Sequence, residues 1–173
     1  MLKRILLPVV ALTLSACTSY PPIQTASHVD LHRFMGKWYV IASIPTSLEK
    51  GAHNAVESYR LKPDGTIATT FSFRDGSFDG KKKVYHPTGY IEDKTSNAVW
   101  GMQFFWPIKA DYRIVYVNAG YSETIIGRLK RDYVWIMART PTISDDRYRK
   151  LLQIIQDQGY DVSKVIKVPQ HWE

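Results

Sequence analysis

This 173-residue sequence has little cysteine, no long apolar run and no familiar catalytic motif. Cys17 is its only cysteine, so the chain can form no disulfide bond within itself. The N-terminal apolar run, residues 5–14, is shorter than the roughly 20 residues that cross a bilayer as a helix. A Gly-x-Ser-x-Gly elbow, a P-loop and a dinucleotide-binding glycine motif are all missing. These absences argue against a common type of hydrolase or nucleotide-dependent enzyme.

The first residues have the order of an export signal. Lys3 and Arg4 precede the apolar run, and Leu-Ser-Ala at residues 14–16 precedes Cys17. This order resembles the lipobox of bacterial lipoproteins, in which cleavage before the cysteine leaves that residue to carry lipid chains. An ordinary signal peptide with an incidental cysteine is the alternative. By resemblance to the bacterial sorting rule, Thr18 after the cysteine implies anchoring at the outer membrane.

Three segments follow from this interpretation. Residues 1–16 are predicted to be a lipoprotein signal peptide, residues 17–29 a lipidated tether, and residues 30–173 one folded domain. The tether is expected because proline and small polar residues dominate it. Removing residues 1–16 also removes Lys3 and Arg4, so the formal net charge falls from +7 to +5; this moderate excess suits an anionic membrane surface and does not predict nucleic-acid binding.

The rest of the chain alternates short apolar runs with turn signals, as an all-β barrel or sandwich does. Short connections favour an antiparallel up-and-down arrangement. We therefore predict an all-β fold with one helix: an eight-stranded antiparallel up-and-down barrel with a C-terminal α-helix packed outside. The predicted strands are residues 38–43, 55–61, 66–73, 82–91, 98–105, 112–118, 123–129 and 133–139.

The helix is predicted over residues 144–158. Ser144 is a suitable N-cap, and apolar residues recur at helical spacing from Tyr148 to Ile155. Gly159 is well placed to end the helix. A final run, residues 164–168, is predicted to add an edge strand.

Three motifs on these elements resemble the lipocalin family. They are Gly-Lys-Trp-Tyr at residues 36–39, Ala-Asp-Tyr at 110–112, and the run at 135–141 that contains Arg139. Ala110 stands where the family has threonine, so a hydroxyl cap is missing there. Further stretches, among them Phe-Phe-Trp-Pro at 104–107, resemble the bacterial outer-membrane branch of the family.

The resemblance implies that Gly36, Trp38 and Arg139 close one end of the barrel. A guanidinium over an indole gains about 0.5–2 kcal/mol of cation–π attraction. We expect this closure to be structural, and we expect the ligand to bind towards the other end.

The strands also place many apolar and aromatic residues at inward positions. An eight-stranded barrel is wide enough to hold one small ligand or to be filled by its own side chains. A packed interior without a ligand is therefore the alternative for each candidate. The predicted ligand-binding residues are Val40, Ala42, Tyr59, Phe71, Phe73, Tyr90, Trp100, Met102, Phe104, Tyr112, Ile114, Tyr116, Trp135 and Met137.

The resemblance implies a lipid-anchored outer-membrane protein that binds a fatty acid, lysophospholipid or similar amphipathic lipid for storage, transport and envelope maintenance. Homodimerisation is an option that the residues leave open. No enzyme activity, cofactor or metal is expected. The alternatives are an envelope module that binds a protein partner with a filled barrel, and an enzyme acting on bound lipid.

Two local features have both a functional and a plain interpretation. His28 and His32 have the i, i+4 spacing of a zinc site, but they lie in or near the predicted tether with no glutamate between them, so a zinc site is the poorer explanation. Lysines 81–83 lie beside a turn. They are either a solvated hairpin that discourages edge pairing or a cluster that attracts anionic lipid headgroups.

Overall fold

The computed structural model describes residues 22–172, and the predicted signal peptide and Cys17 lie outside this range. Within it, an initial short helix, α1 (Leu31–Phe34), precedes nine strands, a longer helix, α2 (Asp145–Asp157), and a final short strand. The strands are β1 (Gly36–Ile44), β2 (Ala52–Leu61), β3 (Ile67–Asp75), β4 (Lys82–Tyr85), β5 (Thr88–Ile91), β6 (Val99–Phe105), β7 (Ile108–Val117), β8 (Glu123–Gly127), β9 (Val134–Ala138) and β10 (Ile166–Lys167).

The strands form one closed antiparallel barrel. From β1 to β9 each strand pairs with the next around the barrel, with β4 and β5 both pairing with β3. β9 pairs back onto β1 through residues such as Val40 and Met137. β10 covers Ala42 and Ser43, a part of β1 beyond its pairing with β2. The predicted up-and-down barrel is confirmed, and so is the added edge strand.

One predicted strand is divided. The run over residues 82–91 breaks between Tyr85 and Thr88. β4 therefore pairs with the C-terminal half of β3, and β5 pairs with the N-terminal end of β3. Pro87 lies in the break, and proline has no backbone N–H to donate to a ladder. Its carbonyl still accepts a hydrogen bond from the Thr69 N–H at 3.1 Å. The two short strands therefore together take the place of one strand in an eight-stranded barrel.

Helix α2 packs outside the barrel, as predicted. Its N-cap Ser144 accepts a hydrogen bond from the Arg147 N–H, and the chain leaves the helix at Gly159 with a φ of +85°. Leu151 and Ile155 are buried against the outer face of the sheet. No helix within residues 22–172 is long and apolar enough to cross a membrane.

The described end of the predicted tether belongs to the fold, so the domain boundary at residue 30 was placed too late. Ile23 and Val29 are buried, and the Ala26 N–H donates to the carbonyl of Ile114 at 2.9 Å. The apolar residues of this segment outweigh the turn-forming character from which the tether was inferred. Helix α1 follows, with Asp30 as its N-cap, and it was not predicted because it is only four residues long.

Two β-bulges explain two wrong predictions about which way side chains face. The ladder between β1 and β9 shifts register between Val40 and Ala42, and the ladder between β7 and β8 shifts between Ile114 and Tyr116. A bulge adds one residue to a strand and reverses the alternation beyond it. Ala42 and Tyr116 were predicted to line the interior, but they lie in the cluster beneath α2.

Candidate ligand-binding site

One end of the barrel is closed by Trp38 and Arg139. The Arg139 guanidinium carbon lies 3.7 Å from the centre of the Trp38 ring. The guanidinium also donates hydrogen bonds to backbone carbonyls around the closed end, which belong to Arg33, Phe34, Met35, Lys37 and Tyr121. Burial lowers the pKa of Arg139 to about 10. One side chain therefore ties α1, the start of β1 and the loop before β8 together.

Gly36 lies beneath this contact and has a φ of +96°, which residues with a side chain rarely adopt. A Cβ atom at this position would lie 3.3 Å from Arg139 Nη1. The glycine of the Gly-x-Trp motif thus allows both the turn into β1 and the close approach of the guanidinium.

Aromatic rings fill the barrel above the closure. Phe34 from α1 lies 5.1 Å from Trp38 and 5.6 Å from both Tyr59 and Trp100, measured between ring centres. Trp100 in turn stacks on Tyr112 at 5.4 Å. Such contacts add about 0.5–1.5 kcal/mol per pair beyond the burial of their area. This part of the barrel is packed core.

The other end of the barrel is open and contains a cavity of about 290 Å³, which we call the mouth cavity. Its size is close to the lower limit for small-molecule pockets, roughly 300 Å³. Phe71 and Met102 form apolar walls, and Tyr112 lies towards the packed aromatic rings. The lining residues are Thr46, Ser47, Leu48, Glu49, Glu57, Thr69, Phe71, Pro87, Met102, Phe104, Phe105, Ala110, Asp111, Tyr112, Arg128 and Trp135.

The structure divides the predicted ligand-binding residues into three groups. Those that line the mouth cavity are Phe71, Met102, Phe104, Tyr112 and Trp135. Those that pack in the barrel core without lining it are Val40, Tyr59, Phe73, Trp100, Ile114 and Met137. Ala42, Tyr90 and Tyr116 lie outside the barrel interior.

Tyr90 was assigned to the wrong face. The inward position on β5 is Gly89, whose missing side chain leaves room for Ile67 and Trp100. Tyr90 instead points outwards, where the Lys109 ammonium lies 3.9 Å from the centre of its ring. Gly89 is therefore the buried residue of this pair, and Tyr90 is only partly buried.

Three carboxyl groups line the mouth cavity, and two of them, those of Glu49 and Glu57, have raised pKa values. Burial, and then the charge of Glu49, raise the pKa of Glu57 from its usual 4.5 to about 8. Burial also raises the pKa of Glu49, against the opposing effect of hydrogen bonds from Thr46 and Trp135. The Trp135 Nε1–H donates to Glu49 Oε1 at 3.0 Å. Glu57 is therefore mostly protonated at neutral pH and can act as a hydrogen-bond donor inside the cavity.

Tyrosine hydroxyls support Glu57 from below. The Tyr59 hydroxyl donates to Glu57 Oε2 and lies 2.5 Å from the Tyr112 hydroxyl. Burial, followed by the nearby carboxyl of Glu57, raises the pKa of Tyr112 well above its usual value. These three side chains form a polar network on top of the aromatic core.

Two buried atoms in the cavity wall have no hydrogen-bond partner among the described residues: Thr69 Oγ1 and Arg128 Nε. Leaving such a group unpaired costs about 1–3 kcal/mol. A ligand or water with a suitable polar atom would recover part of this cost. Nearby, Asp111 is already occupied, because it accepts hydrogen bonds from Arg113 and from the Leu129 N–H.

Sequence reasoning missed the polar residues of the site. Glu57 shares the inward alternation of Ala55 and Tyr59, and Thr69 shares that of Ile67 and Phe71, so alternation alone could have found both. Glu49 and Arg128 lie in connections between strands, where alternation gives no direction. Their place in the cavity depends on how the loops fold back over the barrel.

Two local features singled out above lie away from the mouth cavity lining. His28 Nδ1 is 3.3 Å from the Thr95 carbonyl, and within residues 22–172 no group of three metal-binding side chains comes together. Among the three lysines, Lys83 forms a 2.8 Å ion pair with Asp75 at the end of β3.

The family model of the lipocalin-like domain matches residues 29–170. The chain belongs to the lipocalin family. Outer membrane lipoprotein Blc of Citrobacter freundii is 30% identical over 176 residues, covering 95% of this chain and 97% of that protein. Temperature-induced lipocalin-1 of Arabidopsis thaliana is 30% identical over 162 residues, covering 88% and 86%.

Solved structures confirm the fold of this lipocalin. Insecticyanin from the tobacco hornworm Manduca sexta superposes with a TM-score of 0.69 at 15% identity, covering 89% of this chain and 86% of that one. Lipocalins are generally proteins that bind small hydrophobic ligands, which agrees with a cavity of apolar walls and few polar groups.

Proposed function

We propose that this lipocalin is a lipid-anchored protein of the bacterial outer membrane that holds an amphipathic lipid, such as a fatty acid or lysophospholipid, in its mouth cavity. The observation that carries the proposal is the cavity itself. It is open to one end, walled by Phe71, Met102 and Phe104, and bounded below by packed rings. Removing an acyl chain from water gains about 25 cal/mol per Å² of apolar area.

The polar groups of the cavity suit the polar end of such a ligand. Glu57 in its protonated form can donate a hydrogen bond to a carbonyl or hydroxyl oxygen, and Thr69 Oγ1 lacks a protein partner among the described residues. Arg128 also borders the cavity; its Nη1 lies 3.4 Å from Asp132 Oδ2, whereas its Nε has no partner among the described residues and can donate to a ligand oxygen. The lipid would be sequestered from water and then transferred, which supports storage, transport and envelope maintenance.

The proposed location rests on the N-terminal signal and on relatives named outer membrane lipoprotein. In this account Cys17 carries the lipid anchor, and the folded domain stays close to the membrane. The ligand is bound rather than chemically changed, in keeping with the absence of common nucleophile motifs from the sequence.

A displacement assay tests the binding proposal. The mature domain without its anchor, residues 18–173, is loaded with a fluorescent fatty acid, and unlabelled lysophospholipid or fatty acid is titrated in. Saturable displacement is expected. Its absence would overturn the proposal and favour the module with a filled barrel.

A pair of neighbouring variants makes the assay specific to the cavity. Ala110 lines the mouth cavity, whereas Lys109 points outwards onto Tyr90. Ala110→Trp should fill the cavity and weaken binding at least tenfold, while Lys109→Trp should bind as the wild type does. Equal binding by the two variants would place the ligand elsewhere.

A further inference from the structure

Large apolar side chains at the open end of the barrel are exposed to solvent. Phe105, Trp106 and Ile108 are 70%, 86% and 72% exposed, and Leu48 and Phe78 are also exposed. We call these five residues the rim. Large apolar groups are singly common on protein surfaces, but a contiguous group marks a binding surface.

The topology places the whole rim at one end. Leu48 lies between β1 and β2, and Phe78 lies between β3 and β4. The other three lie where β6 meets β7: Phe105 ends β6, Trp106 is in the turn, and Ile108 begins β7. In an up-and-down barrel, alternate connections lie at the same end. The rim residues therefore lie at the end of the barrel where the mouth cavity opens, and Leu48 and Phe105 line that cavity directly.

Basic residues accompany the rim. Lys50 follows Leu48, Lys81 and Lys82 follow Phe78, and Lys109 follows Ile108. The first three are exposed, as is Lys109. The acidic residues of the same segments are Glu49, which lines the mouth cavity, Asp79, and Asp75, which is paired with Lys83 at 2.8 Å. The open end thus combines exposed aromatic tips with an excess of positive charge.

We propose that the rim docks on an anionic lipid bilayer. Aromatic side chains favour the level of the headgroups, where an apolar ring meets the acyl region, and lysines attract anionic headgroups. A bilayer satisfies both features of the rim at once, whereas the apolar residues alone would also fit a protein partner. Docking on a bilayer is a property of the rim, whereas ligand binding is a property of the mouth cavity. Docking therefore does not depend on which ligand the cavity holds.

The test uses residues 18–173, so that no lipid anchor contributes to binding. The closed barrel and both its cores lie within residues 22–172, so this part is a complete folding unit. Flotation with vesicles of phosphatidylcholine and phosphatidylglycerol in equal parts is compared with flotation on pure phosphatidylcholine. Binding is expected to be stronger on the anionic vesicles and to fall as salt is raised.

Variants separate the apolar and charged contributions. Trp106→Ser and Ile108→Ser together, at two rim positions that do not line the mouth cavity, should reduce partitioning more than tenfold. Trp172→Ser removes an exposed indole that packs edge-on against Tyr39 on the side of the barrel, and it should leave partitioning unchanged. Replacing Lys50, Lys81 and Lys82 by Gln should weaken binding to anionic vesicles by about tenfold or more and flatten its salt dependence.

Three results would overturn the proposal. They are failure of the wild type to bind either vesicle, equal binding by the rim variant, or a rim-dependent dimer that excludes vesicles. The last result would make the rim an interface between two copies of this chain. Circular dichroism of the rim variant checks that it is folded, and fluorescent fatty-acid displacement reports separately on the mouth cavity.

Discussion

The protonated Glu57 makes the stability of this lipocalin depend on pH in an unusual direction. Burial holds the pKa of Glu57 at about 8, against 4.5 when the side chain is free. Between these two values the folded chain keeps a proton that the unfolded chain has released. The folded state therefore binds more protons, and the free energy of unfolding falls as pH rises from 4.5 to 8.

The size of the effect follows from the pKa difference. Each pKa unit corresponds to about 1.4 kcal/mol, so the full shift corresponds to about 5 kcal/mol as an upper limit. Solvent in the cavity screens the ionised form and reduces this figure. The free energy of unfolding of the wild type falls as pH rises because Glu57 must lose its proton. Glu57→Gln keeps the shape of the side chain but cannot ionise, so we expect this fall to be smaller by about 2–5 kcal/mol in the variant.

Urea unfolding of the wild type and of Glu57→Gln at pH 5 and pH 9 measures the difference. The variant should be the more stable protein at pH 9, and the two should converge at pH 5. Glu92→Gln, at an exposed position between β5 and β6, is the matched control and should follow the wild type. The free energy of unfolding of the Glu57 variant and of the wild type could instead change equally between pH 5 and pH 9, within about 0.5 kcal/mol. In that case the pKa of Glu57 would not be raised by burial, and the account of the cavity would be wrong.

The remaining predictions concern the closed end and the anchor. Arg139→Ala leaves several backbone carbonyls without a donor and should lower the free energy of unfolding by about 3 kcal/mol, with ligand selectivity unchanged; an unaltered melting temperature would contradict this. Gly36→Ala should cost about 1–2 kcal/mol because its φ is +96° and its new Cβ would crowd Arg139, so wild-type stability would show that the turn relaxes freely. Cys17→Ser should accumulate as unlipidated precursor, which a mobility and fractionation assay detects; mature-sized, membrane-bound protein from this variant would rule out the anchor.

The barrel could be predicted because its signals are local. Alternation and turn residues indicate strands one at a time, and a run such as Ser144 to Gly159 contains its own cap, apolar stripe and stop. The closure by Trp38 and Arg139 could be predicted for a different reason. A tryptophan after a glycine needs a cover, and the family resemblance supplied Arg139 for that role.

The direction of individual side chains was harder to predict. The bulges at Ile41 and Val115 leave no mark in the alternation, so Ala42 and Tyr116 were assigned to the wrong face. Whether an inward residue faces a cavity or packed core depends on the volumes of all its neighbours. Val40 and Phe71 are both inward, for example, and only Phe71 lines the mouth cavity.

The sequence reasoning also undervalued polar residues inside the barrel. Apolar and aromatic residues were predicted to line the pocket, whereas Glu57 was not, although the period of β2 points it inwards. A buried carboxyl costs energy unless it is neutral or paired, which makes it a poor guess for core and a useful sign of a site. In this chain the inward carboxyl lies where packed core gives way to cavity.

Native mass spectrometry of the purified protein tests the central claim most directly. The wild-type domain is produced as residues 18–173, without the anchor, and is exposed to an extract of membrane lipids. It should then carry one lipid molecule per chain. Ala110→Trp should carry none, and Lys109→Trp should match the wild type. A wild-type protein free of lipid under these conditions, or equal loading of Ala110→Trp, would contradict the claim that the mouth cavity holds the ligand.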